Sequence, residues 1–384
     1  MDWAIQALNL HLKDRLYTPR APERSLSLQR FPLIDLLRAL AALLVVCYHV
    51  IVHANWTEFP TTGPLMLPRM GWIGVDLFLV ISGFVIGKTA IESFTRNPDG
   101  WRSLYIERRF RRIAPLHIAT VFLYALLISP QILTLGGDSV FHLFSHVFFI
   151  HNLFPSTYGS INGVNWSVAL EMQFYMLVAL STPWLARTNW LRVMMVWVGI
   201  AITWRYATTV VYVPTVAPVH NQIVAATMLP GTIDQFVMGI CLAKLSIDGR
   251  LSFTLKRFFL WTAAAIILLT VSWETFAPRS AYWYFPPMIW FWRTLVSAAF
   301  AALLGVFIMI PYSGGWLTKP FRYLGEISYG IYLWHLPVLI SLIAHTPWRG
   351  ASLLKATLIG TVALSALSWH GFEKLWMNSK TNRA

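Results

Sequence analysis

Two residues on one apolar stretch carry the strongest chemical signal in the chain. Leu33 to His53 reads LIDLLRALAALLVVCYHVIVH, and it sets Asp35, Arg38 and His49 in a run long and apolar enough to cross a bilayer. A charge at bilayer depth costs about 2.5 kcal/mol or more, so such side chains generally face an internal cavity and serve a purpose there. Ten residues separate Arg38 from His49. At helical geometry the two share a face and stand about 16 Å apart along the axis. That face offers a cation near one membrane surface and an imidazole nearer the other. An imidazole can take a proton from a hydroxyl, and a guanidinium can polarise a carbonyl or hold a donor in place. Either residue alone also fits a structural role, as a snorkelling arginine or a histidine satisfied by a neighbouring helix. The pair on one face, with Asp35 one turn before Arg38, favours chemistry.

Four further stretches supply candidate partners. GWIGVDLFLVISGFVIG (71–87) places Asp76 about 8 Å below the start of a span, among glycines that permit close helix packing. NGVNWSVALEMQFY (162–175) brings Asn165, Ser167 and Glu171 near one helix face, with Trp166 suited to an interfacial belt. Glu171 and Asp76 fall at a depth similar to His49, and an acid beside an imidazole orients it or stabilises the imidazolium. IERRFRRIAPLH (106–117) concentrates Arg108, Arg109, Arg111 and Arg112 where a span begins. Guanidinium forks suit phosphate oxygens, although the same cluster serves as an ordinary basic anchor. LGEISYGIYLWHLPV (324–338) places Ser328 and Tyr329 near one edge and His335 mid-membrane, with Pro337 expected to bend the helix and free a carbonyl. Arg205 and Asp234 are expected either to pair or to line one cavity. His142, His146 and His151 lack the acidic or cysteine spacing that argues for zinc, and no metal is expected. Phosphate-cradling glycine loops, nucleophilic-serine elbows and HExxH motifs are all missing from the sequence.

The elements that hold these residues are membrane helices. The chain has 384 residues, 57% hydrophobic and only 12% charged, with mean hydropathy +0.57. Soluble domains run near 25% charged, so this is a polytopic membrane protein. The fold class expected is all-α, a bundle of about ten spans near 33–53, 71–91, 115–135, 165–185, 191–211, 225–245, 258–276, 291–310, 325–345 and 352–372. The segment 140–155 is apolar but short, and reads as a surface-lying or re-entrant helix. Ile5, Leu8, Leu12 and Leu16 sit at helical spacing, which fits an interfacial helix or disorder before the first span. No cleavable signal peptide is expected, because the first thirty residues are charged and lack an apolar core. Cys47 and Cys241 fall at different depths, so no disulfide is expected.

The formal net charge of +14 is not a nucleic-acid signal, because the basic residues sit in alternate loops. Of the 30 lysines and arginines, 23 fall on one side, six on the other, and Arg38 inside a span. Both termini are therefore expected in the cytoplasm. Arg38 would then sit near the inner face and His49 in the outer half.

Taken in order, DLLRALAALLVVCYH, GVDLFLVISGF, RRFRRIAPLH, NWSVALEMQFY and ISYGIYLWHLP resemble the acyltransferase-3 family of membrane acyltransferases over about residues 34–373. The resemblance implies a helical bundle that passes an acyl group, most often acetyl, from cytoplasmic acyl-CoA to a hydroxyl of an envelope or exported carbohydrate. It implies that Arg38 and His49 are the essential pair, and Glu171 matches the acidic position of the family's fourth block; by depth, Glu171 or Asp76 is expected to support His49. It also implies that Arg108, Arg109, Arg111 and Arg112 help to hold coenzyme A. From their own placement, Ser328 and Tyr329 are expected to join the donor site, and Asn165, Trp166 and His335 to meet the acceptor. Residues 1–30 would form a cytoplasmic or interfacial segment, 31–376 the membrane acyltransferase domain, and 377–384 a cytoplasmic tail. Membrane lipids surround it, and a multi-pass place in the inner (plasma) membrane follows. His117 stands where tyrosine is commoner, and the C-terminal serine-esterase-like domain of some members is not expected here. Intramembrane His, Asp and Arg also suit a transporter or flippase for a lipid-linked sugar or organic anion, but matched broken helices in two halves are not evident. The acceptor sugar, the hydroxyl, the acyl chain, the choice between general-base and acyl-histidine chemistry, and the oligomeric state stay open.

Overall fold

The computed structural model describes residues 31–134, 136–212, 219–276, 282–312 and 315–378. The amphipathic pattern at Ile5 to Leu16 lies outside them. The described residues are helical, with no strand among them. Fourteen α-helices follow one another: α1 Ile34–His53, α2 Ile73–Arg96, α3 Trp101–Leu127, α4 Gly137–Val147, α5 Trp166–Arg187, α6 Trp190–Val211, α7 Val219–Ala226, α8 Leu229–Ile247, α9 Leu255–Phe276, α10 Arg293–Met309, α11 Lys319–Glu326, α12 Ser328–His345, α13 Gly350–Ser368 and α14 Lys374–Asn378. Short π-helical segments, Met288–Trp292 and Trp369–Glu373, extend α10 and α13.

Each of the ten expected spans coincides with a helix, but not every helix is apolar enough to cross. Seven helices pass on length and composition among the described residues, and nine if each bent pair counts as one span. The pairs are α7 with α8, bent by 41°, and Trp316–Glu326 with α12, bent by 64°. Of the ten expected spans, seven to nine therefore meet this test among the described residues. Helix α5 falls outside the set, and it carries Glu171, Gln173, Ser181, Thr182 and Pro183 along its length. The expected 115–135 span is displaced as well, because α3 begins at Trp101 and takes the whole arginine run into its first half. Helix α4, at 11 residues, is far too short for about 30 Å of hydrocarbon.

Prolines inside the helices are answered by side chains from elsewhere. Pro337 removes the N–H that Leu333 would otherwise accept, and the Asn162 amide donates to the Leu333 carbonyl at 3.0 Å instead. Pro183 likewise frees the Ala179 carbonyl, which Arg102 Nε fills at 3.0 Å. With its carbonyl satisfied, α12 continues unbroken through Pro337; the sharp bend falls at Ile327, ten residues earlier.

The core is laid down where backbones touch. In lipid, association rests on close packing and not on burial of grease, so small residues set the interfaces. Gly83 on α2 faces the Phe236 backbone on α8: a Cβ there would lie 2.0 Å from the Phe236 carbonyl oxygen. Gly74 faces α1 in the same way, 2.4 Å from the Ala41 oxygen. Gly83→Ala is therefore expected to prise α2 from α8 and destabilise the protein by about 1–3 kcal/mol. Thermal unfolding of the purified variant, followed by loss of its monodisperse elution peak, checks this; an unshifted midpoint would mean the helices can slide without cost. Phe174 and Phe236, stacked at 3.8 Å, complete the join of α5 to α8.

Candidate active site

Helix α1 positions both leading candidates, and α12 supplies what α1 lacks. His49 is half-buried. Its Nδ1 lies 2.9 Å from the Val45 carbonyl oxygen and 3.1 Å from Nε2 of His335. The rings stand 4.9 Å apart. His335 is fully buried, and its own Nδ1 lies 3.3 Å from the Ile331 carbonyl. Carbonyl oxygens only accept, which assigns the protons. Nδ1 of His335 carries a hydrogen toward Ile331, so its Nε2 presents a lone pair. His49 Nδ1 then faces two acceptors, Val45 O and His335 Nε2, and must be the protonated nitrogen. Both rings are neutral, since a second charge so deep would be costly. His49 is thereby left with an unprotonated Nε2, the form in which an imidazole acts as a base. If Nε2 gains a proton, Nδ1–H still points at the His335 lone pair, which stabilises the imidazolium.

This corrects the expected support for His49. Neither Glu171 nor Asp76 is its hydrogen-bond partner. Glu171 Oε1 accepts from Ser82 on α2 at 2.8 Å and from Tyr175 one turn along α5 at 2.6 Å. Asp76 is buried with no hydrogen bond to either oxygen, and its nearest cation is Arg293 at 3.9 Å. Arg293 in turn lies over the Trp72 ring at 5.1 Å. Similar depth in the bilayer did not bring the acids to the imidazole, because depth says nothing about which way a helix is turned.

At the other end of the α1 face, Arg38 pairs with Asp35 at 3.0 Å, both partly exposed. Arg112 stands within Coulombic range of Arg38. It lies 4.9 Å over the Trp369 ring and 3.8 Å from Glu373, and donates to the Glu326 carbonyl at 3.4 Å. The other arginines of the run diverge around α3. Arg111 bonds Glu107 at 2.9 Å, Arg109 sits 5.8 Å over the Tyr105 ring, and Arg108 is exposed. Arg38, Arg111 and Arg112 are each partly buried, and Tyr105 feels both Arg109 and Glu171.

The remaining candidates are more committed than expected. The Tyr329 hydroxyl donates to the Ile113 carbonyl at 2.8 Å and ties α12 to α3, and Ser328 is buried. Asn165 is fully buried, its amide donating to Ile161 O at 3.4 Å. Trp166 stacks on Tyr158 at 5.6 Å. Ser167 meets the Tyr332 hydroxyl at 2.7 Å, and Tyr332 lies 5.9 Å from the His335 ring. Asn165 and Trp166 thus build the turn into α5. The aromatic residues around the end of α9 pack on Trp72 at the start of α2: Phe276, Tyr282, Trp292 and Trp72 form one cluster with ring spacings of 4.9 to 6.2 Å.

Arg205 and Asp234 do pair, at 2.7 Å, and both are buried. The histidines near α4 pack against one another. His146 and His151 stack at 3.9 Å, and burial holds their imidazoles down at about 2 and about 4. His117 reaches the His146 carbonyl at 3.0 Å. Among the described residues no group of three or more His, Cys, Asp or Glu side chains is arranged to hold a metal ion.

Sequence reasoning missed His335 as the partner of His49, Ser82 and Tyr175 as those of Glu171, and Arg293 as that of Asp76. Only the first left a trace: a second intramembrane histidine at comparable depth.

The chain matches the family model described as an acyltransferase domain over residues 31–370. It is 28% identical over 359 residues to a peptidoglycan O-acetyltransferase, OatA, of Listeria monocytogenes, covering 85% of this chain and 53% of that protein. It is 28% identical over 373 residues to the putative peptidoglycan O-acetyltransferase YrhL of Bacillus subtilis, covering 89% and 54%. It is 25% identical over 319 residues to the putative membrane-bound transacylase BcsY of Komagataeibacter xylinus, covering 80% and 72%. The chain therefore spans about half the length of the first two of these relatives. No solved structure matches.

Proposed function

This chain belongs to the acyltransferase-3 family, and on that premise we propose that it is a membrane O-acyltransferase acting on an envelope or exported carbohydrate. The group moved is acetyl in the first instance, and the donor is acyl-CoA. The observation that carries the reading is the hydrogen bond between His49 and His335, which leaves a basic nitrogen on a half-buried side chain inside a membrane bundle. The names of the relatives, O-acetyltransferases of peptidoglycan among them, favour a glycan hydroxyl as acceptor.

The reaction runs as a direct transfer. His49 Nε2 takes the proton of the acceptor hydroxyl as its oxygen attacks the thioester carbonyl carbon. The carbon–oxygen bond forms, the carbon–sulfur bond breaks, and the thiolate leaves with the proton that His49 returns. His335 holds the His49 ring and stabilises the imidazolium in the way an acid does in a triad. Arg38, with Arg109 and Arg112, supplies positive charge at the far end of the α1 face, where donor phosphates are bound. Glu171 is held in place by Ser82 and Tyr175. The excess of Lys and Arg on one side supports a cytoplasmic position for both termini, in keeping with a multi-pass place in the inner membrane.

The relatives reported above are named as acyl-transfer proteins and none as a carrier, so the transport reading is dropped. The test is transfer by the purified full chain in proteoliposomes, with acetyl-CoA labelled in the acetyl group and muropeptide or polysaccharide fragments as acceptors. Label is expected in an alkali-labile ester on the carbohydrate. Label that stays with acetyl-CoA across acceptors, while another acyl donor is consumed, would overturn the donor assignment.

A further inference from the structure

Away from the histidine pair, one flank of the bundle carries an apolar groove of about 390 Å³. It opens between α9 on one side and α6 with α8 on the other. Its floor is the alanine face of α10: Ala298, Ala301 and Ala302. Helix α9 packs on α10, and α6 on α8. The small floor residues keep the two pairs from closing on each other. Trp261 of α9 is drawn in over Gly305, where a Cβ would meet its ring at 2.5 Å.

The groove runs along the helices for about one leaflet. From Leu260 to Leu268 its α9 wall covers nine residues, about 12 Å of rise, against about 15 Å for half the hydrocarbon core. Trp190, Leu245 and Leu260 mark one end, because α6 and α9 begin there and α8 finishes there. That same end is basic. Arg192 lies two residues beyond Trp190, Arg250 five beyond Leu245, and Lys256 four before Leu260. All three are exposed, and no ion pair engages them among the described residues. Arg257 is spent on Ser252, Lys244 gives its ammonium to the Leu185 carbonyl, and the acid of the connecting turn is the exposed Asp248.

An apolar slot one leaflet deep, with unpaired cations at its mouth, is complementary to one class of molecule. We propose that this groove binds an anionic phospholipid, with an acyl chain along the alanine floor and the phosphate among Arg192, Arg250 and Lys256. The inference does not depend on the reaction proposed above. Bulk lipid would fill the slot without regard to headgroup, and basic residues serving only as topological anchors would not discriminate either.

The experiment is native mass spectrometry of the purified full chain, with phosphatidylglycerol and phosphatidylcholine of identical chains at equal concentration. Retention of phosphatidylglycerol is expected to exceed that of phosphatidylcholine by about tenfold. The triple variant Arg192→Gln, Arg250→Gln, Lys256→Gln should abolish the preference, and Ala302→Leu should lower retention of both lipids severalfold. Equal retention of the two lipids by the natural protein, or an undiminished preference in the triple variant, overturns the proposal.

Discussion

Replacing His49 with alanine is expected to lower acyl transfer by about 10²- to 10⁴-fold, the range set by loss of a positioned general base. The protein should remain folded. His49 is half-buried on α1 and its bonds run to Val45 within its own helix and to His335. Its removal therefore leaves no charge stranded. His335 separates the mechanism from mere packing. In His335→Gln, a side-chain oxygen takes the place of Nε2 and still accepts from His49 Nδ1, so kcat should fall far less than in His335→Ala. The donor KM should barely change in either variant, because the histidines lie at the opposite end of the α1 face from Arg38. Full transfer by His49→Ala would remove the base from the mechanism. Equal effects of His335→Gln and His335→Ala would reduce His335 to filler.

That Arg38 and His49 share a face follows from residue spacing alone, since a helix fixes 100° and 1.5 Å per residue. That Asp35 meets Arg38 follows in the same way, at a separation of three residues. Glu171 and Asp76 were reasonable partners for His49 by depth, but depth leaves the rotation of each helix undetermined. Helix α5 turns Glu171 toward Ser82 and Tyr175, and α2 turns Asp76 toward Arg293.

Removing the carboxylate of Asp234 is expected to be the most damaging change to stability, about 3–5 kcal/mol, because it strands a buried guanidinium. Arg205 is 1% exposed and Asp234 fully buried. Asp234 Oδ2 accepts from Arg205 at 2.7 Å and from Thr294 at 2.5 Å, and Arg205 also donates to Thr294 at 2.7 Å. One carboxylate oxygen thus clasps α6, α8 and α10 together. Asp234→Ala should lower the thermal midpoint of the purified protein and its yield from membranes. The double change Arg205→Met with Asp234→Leu should recover much of the loss, since apolar residues of similar volume often replace a buried pair without penalty. A double variant no more stable than Asp234→Ala would point to a role beyond holding the helices. Any loss of transfer in Asp234→Ala should track the loss of folded protein.

The amino-acid sequence by itself determined that this is a bundle of membrane helices, approximately where its long helices fall, and which residues within one helix share a face. It also carried five ordered motifs sufficient to reach the acyltransferase-3 family. These are local properties, governed by apolar length and by the fixed pitch of a helix. Tertiary structure decided the rest: that His49 meets His335, 286 positions away, that Arg112 settles over Trp369, and that Tyr329 spends its hydroxyl on α3. Each of these depends on the rotation and register between two helices. Those are set by where glycines such as Gly83 and Gly74 let backbones touch, summed over whole interfaces, and no spacing along a single helix encodes them.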